Sequence, residues 1–146
     1  MDSLDYKIIN ALEKNGRVTI KQIAEECFIS SPSVSSRIQN LEKQGFISGY
    51  QVILDYQKLG YLIKAYIHIA VNAKDKKEFY QSISKTPNVV ECDCITGEYS
   101  MLLKVYFKNT NELDEYINEL QHFGDTKTHI VFSTNVGPRG LEFENM

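Results

Sequence analysis

The chain has little of what most catalytic or exported proteins require. Its three cysteines are an odd number, and Cys92-x-Cys94 has neither the two-residue spacer of redox motifs nor the second pair a zinc site needs. Reduced, structural thiols are the expectation, with Cys27 on an apolar helical stripe. The three histidines, His68, His122 and His129, stand in no Ser/His/Asp or metal-pair spacing, and no phosphate loop is present, so no catalytic residue, metal or cofactor is expected. No apolar run is long enough to span a membrane and no basic-apolar-small leader opens the chain, which predicts a cytoplasmic protein. Positive charge is also scarce. The net charge is −3, and residues 1–55 hold six Lys or Arg against seven Asp or Glu. Binding to a polyanion would need locally placed cations, for which Arg17, Lys21, Arg37 and Lys43 are the candidates, with Glu25, Glu26 and Asp55 turned elsewhere.

What the chain does have is helical periodicity at its start. Leu4, Ile8, Ile9 and Leu12 fall on one face of a first helix, with Asp2 or Ser3 as N-cap and Gly16 beyond its end. Thr19 and Gln22 form a reciprocal capping pattern ahead of Ile20, Ile23, Ala24 and Cys27, the stripe of a short second helix. Ser30 or Ser31 can cap a third, in which Pro32 is tolerated because a first-turn residue donates no intrahelical bond. This third helix should run to about Lys43 and stop at Gly45.

At a hundred degrees per residue, Val34, Ile38 and Leu41 of the third helix share one side and must face the other two. Ser31, Pro32, Ser33, Ser36, Gln39, Asn40 and Lys43 form the other side. Small hydroxyls let a helix approach base edges, and Gln39 or Asn40 can bond adenine bidentately. Arg37, on the flank, could reach a phosphate and fix register without reading sequence. Taken alone, such a face is equally a solvated helix surface. Three consecutive helices ending in it favour entry into a DNA major groove.

After Gly49 the period changes to two. Residues 50–54 read as a strand and 55–61 as a connection. Then come a strand over 62–71, a helix over 74–85, strands over 89–96 and 99–107, a helix over 111–123 and a strand over 126–136. This is the β-α-β-β-α-β order of the ferredoxin-like plan, with both helices on one face of an antiparallel sheet. The whole is α+β, with a helix-turn-helix unit over 1–49, strand and linker over 50–61, the ferredoxin-like unit over 62–137 and a tail over 138–146. On the first strand Ile63, Ala65, Ile67, Ile69 and Val71 alternate with Lys64, Tyr66 and His68; on the third, Tyr99, Met101, Leu103, Val105 and Phe107 alternate with Ser100, Leu102, Lys104 and Tyr106. Helices cover one set only. Tyr66, Leu102 and Tyr106 are left for a second copy of the chain, or for their own aromatic and Lys stems, to shield.

The first unit resembles the winged helix-turn-helix of the Lrp/AsnC family of feast/famine regulators, through Leu4-Asp5, Ile8-Ile9, Leu12, Asn15-Gly16-Arg17, Ile23-Ala24-Glu25, Ile29-Ser30, Val34, Arg37-Ile38, Leu41-Glu42 and Gly45-Phe46-Ile47-Ser48-Gly49-Tyr50. Phe28, in the turn before the third helix, stands where family members often carry Gly; a bulky residue at positive φ is costly, so this turn is expected to differ or to be strained. The second unit resembles the family's effector-binding domain, marked by Thr96-Gly97-Glu98-Tyr99-Ser100 and the strand after it.

The resemblance implies a DNA-binding transcriptional regulator, not an enzyme, acting on double-stranded DNA as a homodimer or larger homo-oligomer and answering to a small effector, usually an amino acid. Gly97, Glu98, Tyr99 and Ser100 are the implied effector contacts, with Thr126 and Thr128 secondary; Glu98 could pair with an α-ammonium, and Ser100 replaces a common acidic residue. A hairpin glycine also serves a turn alone. Effector occupancy would shift the population of dimer arrangements and so the span of paired recognition helices, with half-sites roughly 10 base pairs apart or a multiple. Two other readings share the plan: a tetrapyrrole-pathway decarboxylase, and an interaction module without DNA binding.

Overall fold

Asp2 opens the first helix by accepting hydrogen bonds from the backbone N–H groups of Leu4 and Asp5, while the Asp5 carboxylate accepts from the Asp2 N–H. In the computed structural model, which describes residues 1–143, this helix is α1 (Ser3–Lys14). The Thr19–Gln22 box forms as expected and starts α2 (Ile20–Cys27); Ser30 accepts from the Ser33 N–H and starts α3 (Ser31–Lys43). Ile8, Ile23, Ala24, Cys27, Val34 and Leu41 form the buried core of this unit. Ile20 is a correction to the expected stripe. It sits in the first turn of α2 and is 40% exposed.

The turn between α2 and α3 is a Schellman motif. Phe28 N–H donates to the Glu25 carbonyl at 3.4 Å and Ile29 N–H to the Ala24 carbonyl at 3.1 Å, which places Phe28 in the left-handed region at φ 56°. The turn geometry is kept and the strain accepted. For an L-residue this conformation costs roughly 1–2 kcal/mol relative to the right-handed one.

The expected strand over 50–54 is absent. Tyr50, Val52, Ile53 and Leu54 are exposed and join no ladder, because β-forming side chains without a neighbouring strand have nothing to pair with. The first compact unit comprises Met1–Ile53 and the tail from Val136, and the second comprises Leu54–Asn135. The tail docks on α1 through a reciprocal clamp: Asn10 Nδ2 donates to the Phe143 carbonyl at 2.8 Å and its Oδ1 accepts from the Phe143 N–H at 3.0 Å.

The second unit has the expected order: β1 (Ile63–Ile69), a 3-10 turn over Ala73–Asp75, α4 (Lys76–Ser84), β2 (Val89–Cys94), β3 (Met101–Phe107), α5 (Thr110–Leu120) and β4 (Thr126–Ile130). All ladders are antiparallel, in the order β2-β3-β1-β4. β4 ends six residues before the expected boundary, since Val131 makes the last described backbone bond to β1 and the chain then leaves the sheet. Ala65, Ile67, Ile69, Met101, Leu103 and Val105 pack on Phe79 of α4 and Leu113, Tyr116 and Leu120 of α5. Burial of each Val, Leu, Ile, Phe or Met side chain among these contributes about 1.5–3 kcal/mol.

The opposite face carries Lys64, Tyr66, His68, Leu102, Lys104, Tyr106, Lys127 and His129, with Glu91 and Asp93 on β2. Tyr66, Leu102 and Tyr106 are half-buried here. Tyr56 of the connection stacks on Tyr106 with centroids 4.1 Å apart, which shields part of the face within one chain. Tyr99 is another correction. It precedes the ladder, where alternation no longer holds, and its ring lies 5.6 Å from His68 instead of joining the Met101 set.

Two substitutions separate close packing from polar satisfaction. Gly124 lies at φ 154°, and a Cβ there would overlap the Ala70 carbonyl oxygen. Gly124→Ala should therefore cost about 2 kcal/mol or more in urea denaturation. Among the described residues the buried Tyr116 hydroxyl has no hydrogen-bond partner, and burial pushes its pKa up to about 12. Tyr116→Phe removes that orphaned group and should leave the midpoint unchanged or raise it.

Candidate functional site

The roll of α3 decides what it offers to solvent. Val34 is 0% and Leu41 2% exposed, with Ile38 packed beside them, so the opposite side turns outwards. Pro32, Ser36, Gln39, Asn40 and Lys43 are exposed; Ser31 and Ser33 are half-buried. Ser33, Ser36, Arg37, Gln39, Asn40 and Lys43 line one shallow depression together with Asp5 of α1. A side chain entering it meets hydroxyls, two amides and a lysine within one helix face. These are the donors and acceptors of base-edge recognition.

Arg37 is not the open phosphate ligand expected on the flank. Its Nη1 donates to both Asp2 carboxylate oxygens, at 2.9 and 2.8 Å, and to Asp5 Oδ1 at 2.7 Å. The α1 N-terminus projects its capping carboxylates onto α3, and a guanidinium on the facing turn closes the contact. These bonds to Asp5 and then Asp2 hold the Arg37 pKa above its ordinary value. The Asp2 pKa is lowered by the Asp5 N–H first and by Arg37 next. Of the two expected cap candidates, Asp2 and Ser3, Asp2 is the cap, and Asp5 is the partner not expected; the Asp2-x-x-Asp5 spacing of a capping box was the available signal.

Among the other candidate cations, Lys21 lies on α2 with its Nζ 4.0 Å from Glu25, so Glu25 shares that face instead of turning elsewhere. Lys43 extends from the last turn of α3 into the depression. Beyond the helix, Tyr50 donates to Glu42 at 2.9 Å and pins the start of the connection.

The hairpin candidates fall at one end of the sheet. Gly97 has φ 105° with open space where a Cβ would stand, and Glu98 is exposed. Ser100 is engaged with the backbone: its Oγ accepts from the Val71 N–H at 2.9 Å and donates to the Ile69 carbonyl at 3.3 Å. Thr126 pairs with Ile69 across the next ladder, which brings it to the same end, and its hydroxyl accepts from Gln121 Nε2 at 3.5 Å. Thr128, opposite Ile67, lies one pleat further in. Thr126 and Thr128 therefore share the helix-covered face with Ile67 and Ile69, whereas Tyr99 approaches His68 on the other. His68 has the Tyr99 ring 5.6 Å and the His129 ring 5.4 Å away, and its buried Nδ1 has no hydrogen-bond partner among the described residues. Burial raises the thiol pKa of Cys27 and Cys92, which disfavours the reactive thiolate at both.

Residues 1–48 match a winged helix-turn-helix DNA-binding family model, and residues 64–140 match the Lrp/AsnC ligand binding domain. The chain belongs to the Lrp/AsnC family. The Bacillus subtilis transcriptional regulator YezC is 32% identical over 135 residues, covering 92% of this chain and 96% of that relative. LrpC of the same organism is 29% identical over 91% of this chain and 92% of its own length. The structure of LrpC superposes with a TM-score of 0.88 over 94% of this chain and 99% of that chain. A Neisseria meningitidis transcriptional regulator in complex with L-Met superposes with a TM-score of 0.88 at 26% identity, covering 94% of this chain and 93% of that one. This Lrp/AsnC membership favours a DNA-binding transcriptional regulator over the decarboxylase of similar plan.

The Asp2 cluster has a pH signature. A carboxylate with a lowered folded pKa contributes stability that is fully present above its ordinary value of 3.8 and is lost as pH falls through the lowered one. Asp2→Asn keeps an N-cap acceptor without the charge and should flatten the acid limb of a circular-dichroism titration below about pH 4. Arg37→Ala should lower the thermal midpoint in the absence of DNA, which a solvent-facing phosphate ligand would not do.

Proposed function

We propose that this regulator reads double-stranded DNA through the outer face of α3, responds to a small amino acid at the Gly97 hairpin, and works in the cytoplasm as a homodimer or larger homo-oligomer. The observation that carries the reading is the opposition on α3: Val34 and Leu41 are buried while Pro32, Ser36, Gln39, Asn40 and Lys43 are exposed. Gln39 and Asn40 supply base discrimination, Ser31, Ser33 and Ser36 permit close approach, and Lys21 and Lys43 meet phosphates. Arg37 mainly holds α3 against α1, and touches DNA from that anchored position. Residues 1–49 are the DNA-binding part and residues 62–137 the effector-binding and oligomerising part.

Two or more recognition helices are favoured by the weak charge of a single copy, since each half-site adds its phosphate contacts. The open sheet face suits a second copy. Glu91 and Asp93 lie on β2 at one edge and Lys127 and His129 on β4 at the other, with Tyr66, Leu102 and Tyr106 between them. A two-fold axis along the strands would set acids against bases at both edges, the self-complementarity that an isologous interface needs.

For the effector, Gly97 permits backbone N–H groups to approach a carboxylate and Glu98 supplies an acid for the α-ammonium. Ser100, bound to Val71 and Ile69, shapes the hairpin and leaves ligand pairing to Glu98. The L-Met held by the related Neisseria meningitidis regulator supports this class of effector.

A duplex selected by the full-length protein from random sequences tests the DNA half. Gln39→Ala and Asn40→Ala should each lose about 1–3 kcal/mol of discrimination between the selected and a mismatched duplex. Lys43→Ala should weaken binding to both duplexes alike and reduce the salt slope by about 1. Unchanged binding in all three removes α3 from the interface. In calorimetric titration with L-Met and other L-amino acids, Glu98→Ala should reduce affinity while the apo protein stays folded; titrations equal to the parent's exclude Glu98 from the site.

A further inference from the structure

Phe28 is the least economical residue in the first unit. The residue is 93% exposed, and its backbone occupies the left-handed region at φ 56°, the one non-glycine residue at positive φ among the described residues. The Schellman bonds from Phe28 N–H to Glu25 and from Ile29 N–H to Ala24 fix that conformation, and they require no side chain at this position. A glycine would make the same two bonds without the steric cost of a Cβ. The free chain thus carries backbone strain and a bare aromatic ring together, and the packing of its own unit recovers neither.

The position of the ring indicates where recovery occurs. Phe28 lies two residues before Ser30, the N-cap of α3, and the first outward residue of that helix is the exposed Pro32. Phe28 and Pro32 thus flank the N-cap at the leading end of the recognition helix, the end that contacts base edges when such a helix enters a major groove. A duplex presents two apolar surfaces there, the thymine C5-methyl and the deoxyribose face, against which an uncharged ring loses water at little desolvation cost. Backbone strain held at an exposed position is the expected mark of a group that acts in the bound state.

We infer that Phe28 is a DNA-contacting residue that packs its ring on apolar duplex surface beside the leading end of α3, adding affinity that no charge or hydrogen bond of the helix provides. The inference rests on the reading of α3 as the recognition helix. It predicts opposite effects on folding and binding from one substitution. In the full-length protein, Phe28→Gly should raise the thermal midpoint by roughly 3 °C while weakening binding to the selected duplex about tenfold. Phe28→Asn, which tolerates the left-handed region, should weaken binding similarly. The salt slope should stay at the parent value, since no phosphate contact is removed. Replacing thymine by uracil in the duplex distinguishes the two apolar sources: a loss for the parent but not for Phe28→Gly assigns the methyl, and an equal small effect on both assigns the sugar.

Parent-like affinity in both variants would overturn the inference, as would a binding loss explained by a changed oligomeric state in sedimentation. A lowered midpoint for Phe28→Gly would also overturn it, because the ring would then be packing within the protein. If the parent itself selects no duplex, the recognition-helix reading fails first and the inference with it.

Discussion

Everything the first unit presents to a partner follows from the burial of Val34 and Leu41 against Ile8, Ile23, Ala24 and Cys27. A helix of thirteen residues has many possible rolls about its axis, and the apolar stripe selects one. Arg37 then locks it, because a guanidinium held by two carboxylates resists rotation in a way that aliphatic contacts alone do not. The same inner anchorage fixes where the outer amides of Gln39 and Asn40 stand.

The second unit applies the same economy to a sheet. One face is closed by α4 and α5, and the other remains amphipathic, with a stacked Tyr56–Tyr106 pair as partial cover. A sheet left in this state suits association because its inner residues are already half-dry, so joining two copies costs little further side-chain freedom. The Gly97 hairpin is built differently. Ser100 ties its base to β1 through the Val71 and Ile69 backbone, while Gly97 and Glu98 at its tip stay exposed. The result is a tethered base with an accessible tip, the arrangement in which surface loops present groups to a partner.

Most of this architecture was legible in the sequence because it is written in local patterns. Capping at Asp2, Thr19 and Ser30, the stripe of α3 and the alternation along β1 and β3 are each specified within a few residues. What was not legible depends on residues distant in the chain. The partners of Arg37 lie 35 and 32 positions away, and no local rule joins them. Residues 50–54 have strand-like composition, yet a strand exists only where a neighbour supplies hydrogen bonds. Tyr99 broke its expected alternation since it lies outside the ladder, where period two has no force. Phe28 was the intermediate case: its mismatch with the turn could be read, but not whether turn or residue would yield.

The tail's clamp on Asn10 joins residues 133 positions apart, with the whole ferredoxin-like unit between them. Contacts of such separation form late, because the intervening chain must first be compacted before the ends can meet at tolerable entropic cost. On a ribosome the three helices can assemble long before Phe143 emerges, so the final hydrogen bonds of the DNA-binding unit report that the other unit has been synthesised.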